Sequence, residues 1–500
     1  MILQGRGGGF LTCLDFFEQT VARYPHKLAF ADERESLTFS QMQALGRSIG
    51  TALHHKIRDI RRPVAILTTH SVCDIAAFIG TMYAGCFYVP LDGRAPQEHI
   101  QARLDILDPA LVLAPKSIAD LPQVPADDVL LSSIRKQVFT IDPAYAIFTS
   151  GSTGIAKAAV VQHSALVNLA TCLCDLFGFS QQTVFAGQSP FYFDGSGKEL
   201  YCTLFAGATL HLLPKKLFIS PLHLMRRVAE LKADALLWAG AAVKLVAVSG
   251  VFDTFVPPGV RHVVFGGENM PGKILNIWQA AMPEAMFANV YGPTETAVDA
   301  TYYIVDRSFS DEESVPIGIA CHNTEVFLLD EEKKPVPRGM SGEIYIKGAG
   351  VGLGYYKNPT QTAAVFLQNP LHNNYRDMVY KTGDIARENE YGELVYLSRA
   401  DGQVKHMGSR VELGEIEAVV AGIEGVEALF CSYDKEKGKI LLFYQGAIDS
   451  LDLSRQIAAR LPRYMQPNYI DKRDVLPRLP NGKLDRVLLR KEYDETATSG

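Results

Sequence analysis

Tyr145-Ala146-Ile147-Phe148-Thr149 runs directly into Ser150-Gly151-Ser152-Thr153-Gly154-Ile155-Ala156-Lys157, a short apolar segment followed by a loop of glycines and hydroxyls. The chain from about Ser164 to Phe177 then has helical periodicity, so the stretch reads as strand, loop and helix. Glycines let a backbone approach an anion, hydroxyls and exposed N–H groups supply donors, and Lys157 supplies charge. Gly154 and Lys157 are three apart, which is not the G-x-x-x-x-G-K-S/T spacing of a P-loop. Alone, the loop suits either a phosphate cradle or a polar turn.

Working outward, strand-like and helix-like segments alternate on both sides. Val64–Thr68 is a short apolar strand, Val72–Gly85 is helical, and Cys86–Leu91 is a strand again. His262–Phe265 and Met286–Tyr291 are further strands before polar or glycine turns. Such alternation predicts layered α/β structure with parallel strands. After about Thr324 the pattern changes to strands split by turns (Glu325–Leu329, Gly342–Lys347, Glu393–Leu397), a β-rich subdomain over 324–400. A second change falls at Asp401-Gly402. Beyond it lie a helix from Glu412 to Ala421, a hairpin around Lys437-Gly438 and a helix from Leu453 to Leu461. The expectation is a large α/β domain over 1–400, a small mobile α+β domain over 401–493 and a loose tail over 494–500.

Five hundred residues are too many for one compact core at roughly 100–200 residues per domain. A net charge of −6 disfavours a general nucleic-acid binder. Cys73–Val89 is the most membrane-like stretch, but Asp74, Gly80 and Gly85 interrupt it and Pro90 follows, so it reads as a buried helix and strand. The start carries no signal peptide pattern, and the eight cysteines have no zinc spacing beside histidine; free thiols in a reducing cytosol are expected.

Further motifs follow in order. Asn289-Val290-Tyr291-Gly292-Pro293-Thr294-Glu295 ends a strand with an aromatic, a tight turn and a carboxylate. Tyr380-Lys381-Thr382-Gly383-Asp384 places an acid after a glycine turn. Arg399-Ala400-Asp401-Gly402-Gln403-Val404-Lys405 sits at the composition break, Gly408–Glu417 opens a helix, and Asn481-Gly482-Lys483-Leu484-Asp485-Arg486 lies near the end. Each is weak singly. Together, from Leu37 to Arg486, they resemble the adenylation domains of non-ribosomal peptide synthetases, within the acyl-adenylate-forming superfamily.

The resemblance implies roles by motif position. Thr149, Ser150, Gly151, Ser152, Thr153, Gly154 and Lys157 would form the loop over the ATP phosphates. Tyr291, followed by Gly292, would stack on adenine with Asn289 at its polar edge. Thr294 would contact the α-phosphate and Glu295 would hold Mg²⁺. Asp384 would accept the ribose hydroxyls with Arg399 beside it, Asp401 would be the hinge, and Lys483 would bridge the substrate carboxylate and the α-phosphate. Two anions must meet when a carboxylate oxygen attacks phosphorus, so a placed ammonium and a metal ion suit that chemistry. The chain departs from the family where Ala156 and Ala158 flank Lys157 in place of Pro and Gly, and where Ser398 replaces Gly.

Phe193-Asp194-Gly195-Ser196-Gly197-Lys198-Glu199 matches the family's amino-acid-binding motif. Asp194 would pair with the substrate α-ammonium, since a buried carboxylate needs a cation. The remaining pocket residues carried over are Gly195, Lys198, Leu236 (or Leu237), Val264, Gly266, Val290, Val298 and Asp299. Lys198 needs a carboxylate, either Asp299 or the substrate side chain, and the set resembles glutamate-activating pockets. Glutamine, another polar amino acid, or a hydrophobic or β-amino acid are the alternatives. The implied partners are a carrier protein with a phosphopantetheine thiol and, as an option, a small MbtH-type activator, with no nucleic acid and no membrane. The chain reads as a stand-alone enzyme or an excised domain. An acyl-CoA ligase is disfavoured by Asp194, and a silent nucleotide-binding scaffold is disfavoured by intact Glu295, Asp384 and Lys483. His54-His55-Lys56-Ile57-Arg58-Asp59 only mimics a condensation motif, and Gly350-Val351-Gly352-Leu353-Gly354 lacks the βαβ context of a dinucleotide loop.

Overall fold

Val263-Val264-Phe265 is an unbroken β-branched and aromatic run, the pattern of a strand buried on both faces. In the computed structural model these residues lie in the strand His262–Gly266, parallel to Ala235–Ala239 on one side and Met286–Tyr291 on the other. The structure describes residues 12–150, 156–399, 404–407, 409–434, 437–477 and 486–498.

Among the described residues, these three strands belong to a nine-stranded sheet. Its order is Ile319–Ala320, Thr301–Ile304, Met286–Tyr291, His262–Gly266, Ala235–Ala239, Val184–Gly187, Thr209–Leu212, Leu28–Ala31, Ser36–Thr38. A six-stranded sheet has the order Gly354–Tyr355, Lys157–Gln162, Pro143–Thr149, Phe87–Asp92, Pro63–Thr68, Leu111–Leu113. Helices such as His163–Phe177 and Val72–Tyr83 bury Leu166, Leu173, Phe78 and Ile79 in the apolar cluster that also holds Val64, Ile66, Val264 and Val290. Thr324–Leu329, Ser341–Gly348, Phe366–Gln368, Met378–Glu388 and Leu394–Arg399 form a five-stranded antiparallel sheet, the β-rich part of the chain.

Two compact units result. The larger comprises Met1–Gly93, Ile106–Phe148 and Ala158–Ala400; the smaller comprises Arg94–Asp105, Thr149–Lys157 and Asp401–Gly500. In the smaller unit, Val426–Asp434 and Lys439–Gly446 form the expected hairpin and Tyr469–Lys472 joins it in parallel. Leu413–Ala421 and Ser450–Arg460 bury Ile416, Val420, Leu453 and Ile457 with Leu442.

Three local expectations need correction. The segment after the glycine loop is a strand, Lys157–Gln162, before the helix begins at His163. Ala158, Ala159, Val160 and Val161 are small or β-branched and all buried, which suits a pleated central strand and not the approach to a helix. A helix N-terminus therefore adds nothing to anion binding at that loop. Asp384 follows no turn either: it lies inside the eleven-residue strand Met378–Glu388, where Gly383 has φ +75° and the register with Ser341–Gly348 shifts. Only glycine takes that conformation cheaply, and the result is a bulge that re-aims the next side chain. Residues 494–498 are no tail. They continue the helix Arg486–Thr498, anchored by buried Leu489 and Tyr493 against Phe430 and Phe443.

Among the described residues no helix is long and apolar enough to cross a membrane. All eight cysteines are buried and unbridged. His54 and His55 end the helix Phe39–Ile57, where His54 contacts the Ala84 carbonyl, as a structural reading requires.

Candidate active site

Parallel strands place paired residues on the same face, and ligands gather at their carboxyl ends. Ala239, Gly266 and Val290 pair across the three central strands, with Leu237, Val264 and Ala288 one step below. Leu237, Val264, Ala288, Val290 and Val298 share one apolar cluster. Leu236 packs on the opposite face with Trp238, Val263 and Phe265. Leu236 is therefore not brought to this surface and Leu237 is: the strand's period of two decides between neighbours that are equally apolar in sequence. Gly266 has a backbone reason to be glycine, because a Cβ there would lie 2.4 Å from the Val290 carbonyl oxygen.

The loop after Met286–Tyr291 is strained. Ala297 and Val298 both have left-handed backbone, φ 56° and 78°, an outlier for a β-branched residue that costs of order 1–3 kcal/mol. It is held by close packing: a Cβ on Gly292 would meet the Val298 carbonyl oxygen at 2.4 Å and Asp299 Cα at 2.9 Å. This loop carries Asp299 to Lys198, which lies in the first turn of the buried helix Gly197–Ala206. Lys198 Nζ is 3.9 Å from Asp299 Oδ1, with the side chains 6% and 4% exposed. Asp299 Oδ2 has no hydrogen-bond partner. Burial pushes the Asp299 carboxyl up to about 6 against the pull of Lys198, with Asp194 adding to the rise. Asp194 is half-buried beside Gly195 and is raised chiefly by desolvation, with hydrogen bonding from Thr294 opposing the rise. A Cβ on Gly195 would touch only Ser189, at 3.5 Å or beyond.

Glu199 belongs to the same electrostatic cluster, although its motif position implies no role for it. It is 2% exposed, its Oε1 has no partner, and burial pushes its carboxyl up to about 8 despite Lys198. The Tyr145 hydroxyl is also buried and unpartnered, in the field of Asp194 and Asp299. No sequence signal marks Glu199: only the structure shows that Gly197 to Leu204 is buried on every face, so any charge in it faces protein.

A second constellation surrounds Tyr291. Its hydroxyl donates to Asp384 Oδ2 at 2.7 Å, and Arg399 Nη1 donates to Asp384 Oδ1 at 2.7 Å. Arg399 Nη2 also donates to the Thr382 carbonyl, at 3.2 Å, across the bulge. A carboxylate offers about four acceptor positions, so Asp384 so held keeps capacity for a diol. Asn289 is 2% exposed, and its amide donates to the Val315 and Pro316 carbonyls at 3.2 and 2.8 Å. Those donors hold the 315–316 segment. Glu295 is 1% exposed; its Oε1 accepts from the Tyr355 hydroxyl at 2.7 Å, and its backbone carbonyl accepts from Gly352 N–H. The Gly350–Gly352 turn thus supports Glu295 and is no dinucleotide loop.

Among the described residues no three His, Cys, Asp or Glu side chains are grouped to hold a metal. Mg²⁺ is ordinarily bound by one or two carboxylates together with nucleotide phosphates, so the single Glu295 carboxylate fits it. Thr149 and Ser150 are buried, and Thr149 Oγ1 donates to the Lys157 carbonyl at 3.4 Å within the smaller unit. Gly151, Ser152, Thr153, Gly154, Asp401 and Lys483 lie outside the described residues.

Residues 17–356 match the family described as AMP-binding enzyme. The chain belongs to that family. It is 31% identical over 508 residues to tyrocidine synthase 3 of Brevibacillus parabrevis, covering 98% of this chain and 8% of that protein. It is 29% identical over 506 residues to tyrocidine synthase 1 of the same organism, covering 96% of this chain and 45% of that protein. The chain thus spans less than half the length of either curated relative. Its homologues are adenylation domains of non-ribosomal peptide synthetases. Among solved structures, it aligns with PA1221, a synthetase protein containing adenylation and carrier domains bound to a vinylsulfonamide inhibitor. The TM-score is 0.82 at 25% identity, covering 96% of this chain and 84% of that one. The fold also matches the Vibrio cholerae adenylation domain AlmE, in complex with glycyl-adenosine-5′-phosphate, with TM-score 0.82, 21% identity and 99% and 100% coverage.

A carboxyl raised by burial favours the folded state while protonated. Glu199 moves from about 4.5 to about 8, so its contribution is complete below 4.5 and is lost as pH rises through 8. Glu199→Gln cannot ionise. Its melting temperature relative to the parent should therefore climb between pH 5 and pH 9, by about 2 °C or more. Thermal melts across that range check this, and a flat difference would mean that Glu199 is ionised throughout.

Proposed function

We propose that the protein activates an amino acid with ATP, forming aminoacyl-AMP and releasing pyrophosphate, and then passes the acyl group to a phosphopantetheine thiol on a carrier protein. The observation that carries this reading is the pairing of two separate constellations in the larger unit. Tyr291, Asp384 and Arg399 form a buried, polar, aromatic-edged cluster suited to a nucleoside. Asp194 is a half-buried carboxylate whose raised pKa calls for a cation such as an α-ammonium. Family membership, the PA1221 architecture of adenylation and carrier domains and the aminoacyl adenylate bound to AlmE support the same reading. An MbtH-type activator belongs to this proposal as an optional partner, and a reducing cytoplasm suits the eight unbridged thiols.

The roles of individual residues are part of the proposal. Asp194 neutralises the ammonium. Asp384 and Arg399 orient the ribose, and Tyr291 covers the base. Thr294, which bonds Asp194, would meet the α-phosphate. Glu295, oriented by Tyr355, would hold Mg²⁺, which supplies charge neutralisation on the phosphates when bound. Lys483 would bridge carboxylate and α-phosphate, with Asp401 as the pivot that brings and removes it.

For the substrate side chain, the reading from Lys198 is glutamate or a related acidic amino acid. A specific observation favours the second reading, a neutral polar amino acid such as glutamine: Lys198 already has Asp299 for a neighbour.

Two variants test the activity. Asp194→Ala should raise the KM for amino acid at least tenfold in pyrophosphate exchange, with the KM for ATP nearly unchanged, because about 2–5 kcal/mol is lost when a buried charge pair is truncated. An unchanged amino-acid KM would remove Asp194 from the pocket. Lys483→Ala should cut adenylation by about 10²–10³, the usual loss for one oxyanion-type donor. Thiol transfer from a supplied aminoacyl adenylate should fall far less, and equal losses would argue against a lysine that serves only the first half-reaction.

A further inference from the structure

We propose that Cys172 and Cys321 are a peroxide-sensitive dithiol, which on oxidation joins in a reversible disulfide and ties the segment beside Ala300 to the helix His163–Phe177. Formation of this bond is independent of the amino-acid activation reading. Its effect on amino-acid use rests on that reading, because the same segment supports the loop that carries Asp299.

Two separate elements bring the thiols together. Cys172 lies on the helix His163–Phe177, and Cys321 directly follows the edge strand Ile319–Ala320. Asn168, one helical turn before Cys172, holds the same segment: its Nδ2 donates to the His322 carbonyl at 3.4 Å and its Oδ1 accepts from Asn323 Nδ2 at 2.8 Å. Residues four apart share a helix face, so Cys172 meets Cys321 where Asn168 meets its neighbours. The Cys321 thiol donates a hydrogen bond to the Cys172 sulfur. Both residues are buried, at 3% and 5% exposure, yet His322, Asn323 and Asp175 around them are exposed. The pair thus lies just beneath the surface, within reach of an oxidant as small as hydrogen peroxide.

The two thiols are unlike. The hydrogen bond from Cys321, joined by one from the His322 N–H, holds the Cys172 thiol below the ordinary cysteine range against the effect of burial. The same bond, together with burial, pushes Cys321 well above that range. Cys172 is therefore the nucleophile and Cys321 the resolving thiol, as in redox-sensing pairs. The Cys172 thiolate attacks one peroxide oxygen and the O–O bond breaks, leaving a sulfenic acid and hydroxide. The Cys321 sulfur then displaces the sulfenic hydroxyl, which departs with the Cys321 proton as water. Each sulfur is oxidised by one electron and peroxide is reduced by two. Cys174 and Cys202 supply a contrast on the same helix face of the core. Their thiols also interact, but Cys202 is 0% exposed and burial pushes its thiol well above the ordinary range, with Cys174 adding to the rise. A disulfide draws its sulfurs to about 2 Å, closer than any non-bonded contact. Cys172 is fixed in a helix between buried Leu169 and Leu173, so the Cys321 segment does the moving. Its N–H donates to the Ala300 carbonyl at 2.9 Å, which passes the movement to the residue after Asp299.

The test treats the full chain with hydrogen peroxide and maps its peptides by mass spectrometry without reduction. A Cys172–Cys321 linkage should form, Cys174 and Cys202 should remain thiols, and dithiothreitol should reverse the linkage. Cys172→Ser should abolish any linkage at Cys321. Cys321→Ser should leave Cys172 as a sulfenic acid that a cyclic 1,3-diketone captures, and it decides if Cys172→Ser fails to fold in a thermal melt. Pyrophosphate exchange then uses whichever common amino acid the reduced parent exchanges best. Oxidation should lower kcat/KM for that amino acid about tenfold, because a displacement of about 1 Å suffices for such a loss, with KM for ATP nearly unchanged. The drop should vanish with dithiothreitol and be absent from Cys172→Ser. Cys172 and Cys321 left as thiols, or a Cys174–Cys202 linkage in place of theirs, overturns the dithiol. Linkage with exchange unmoved overturns its effect on the site. A reduced parent that exchanges with no amino acid overturns the activation reading and leaves the linkage standing.

Discussion

The parallel register of Ala235–Ala239, His262–Gly266 and Met286–Tyr291 is the constraint on which the site depends. It sets Leu237 beside Val264 and Ala288, and Ala239 beside Gly266 and Val290, so three strand ends present one continuous surface. A one-residue slip in any strand would turn its side chains to the other face, where Trp238 and Phe265 pack. Gly266 belongs to this arrangement because the neighbouring strand's carbonyl occupies the space of a Cβ. The register also determines where Tyr291 emerges, and hence where it meets Asp384 from the antiparallel sheet.

Charge burial is the second constraint, and it acts on what the register assembles. Asp194, Glu199 and Asp299 are acids around one lysine, and they resolve the imbalance differently. Asp299 has Lys198, Glu199 keeps its proton, and Asp194 bonds Thr294. Each outcome follows from the cost of an unpaired charge away from water. Asp384 shows the opposite case: Tyr291 and Arg399 each engage one of its oxygens, so it is fully supported before any ligand arrives.

Much of this is legible in the chain. The alternation of apolar strands and periodic helices marks the layered α/β body, and the change near Thr324 marks the antiparallel sheet. Long-range contact is less legible. Lys157–Gln162 escapes a sequence reading because a short run of alanine and valine beside a glycine loop carries no period. The bulge at Gly383 passes for a turn because glycine signals both. Leu236 and Leu237 are interchangeable by composition, and Glu199 beside Lys198 looks like a helix-surface pair until the helix is seen to be buried all round.

The sequence by itself determined which family the chain resembles: an ordered set of glycines, hydroxyls, acids and lysines whose succession matches the motifs of adenylate-forming enzymes. Only the tertiary structure decided how those groups balance one another. Asp299 reaches Lys198 through a strained loop 101 residues further along the chain, and Asp384 reaches Tyr291 across 93. Neither approach has a local signature, because sequence order carries type and period, whereas charge pairing depends on distance and on the loss of water.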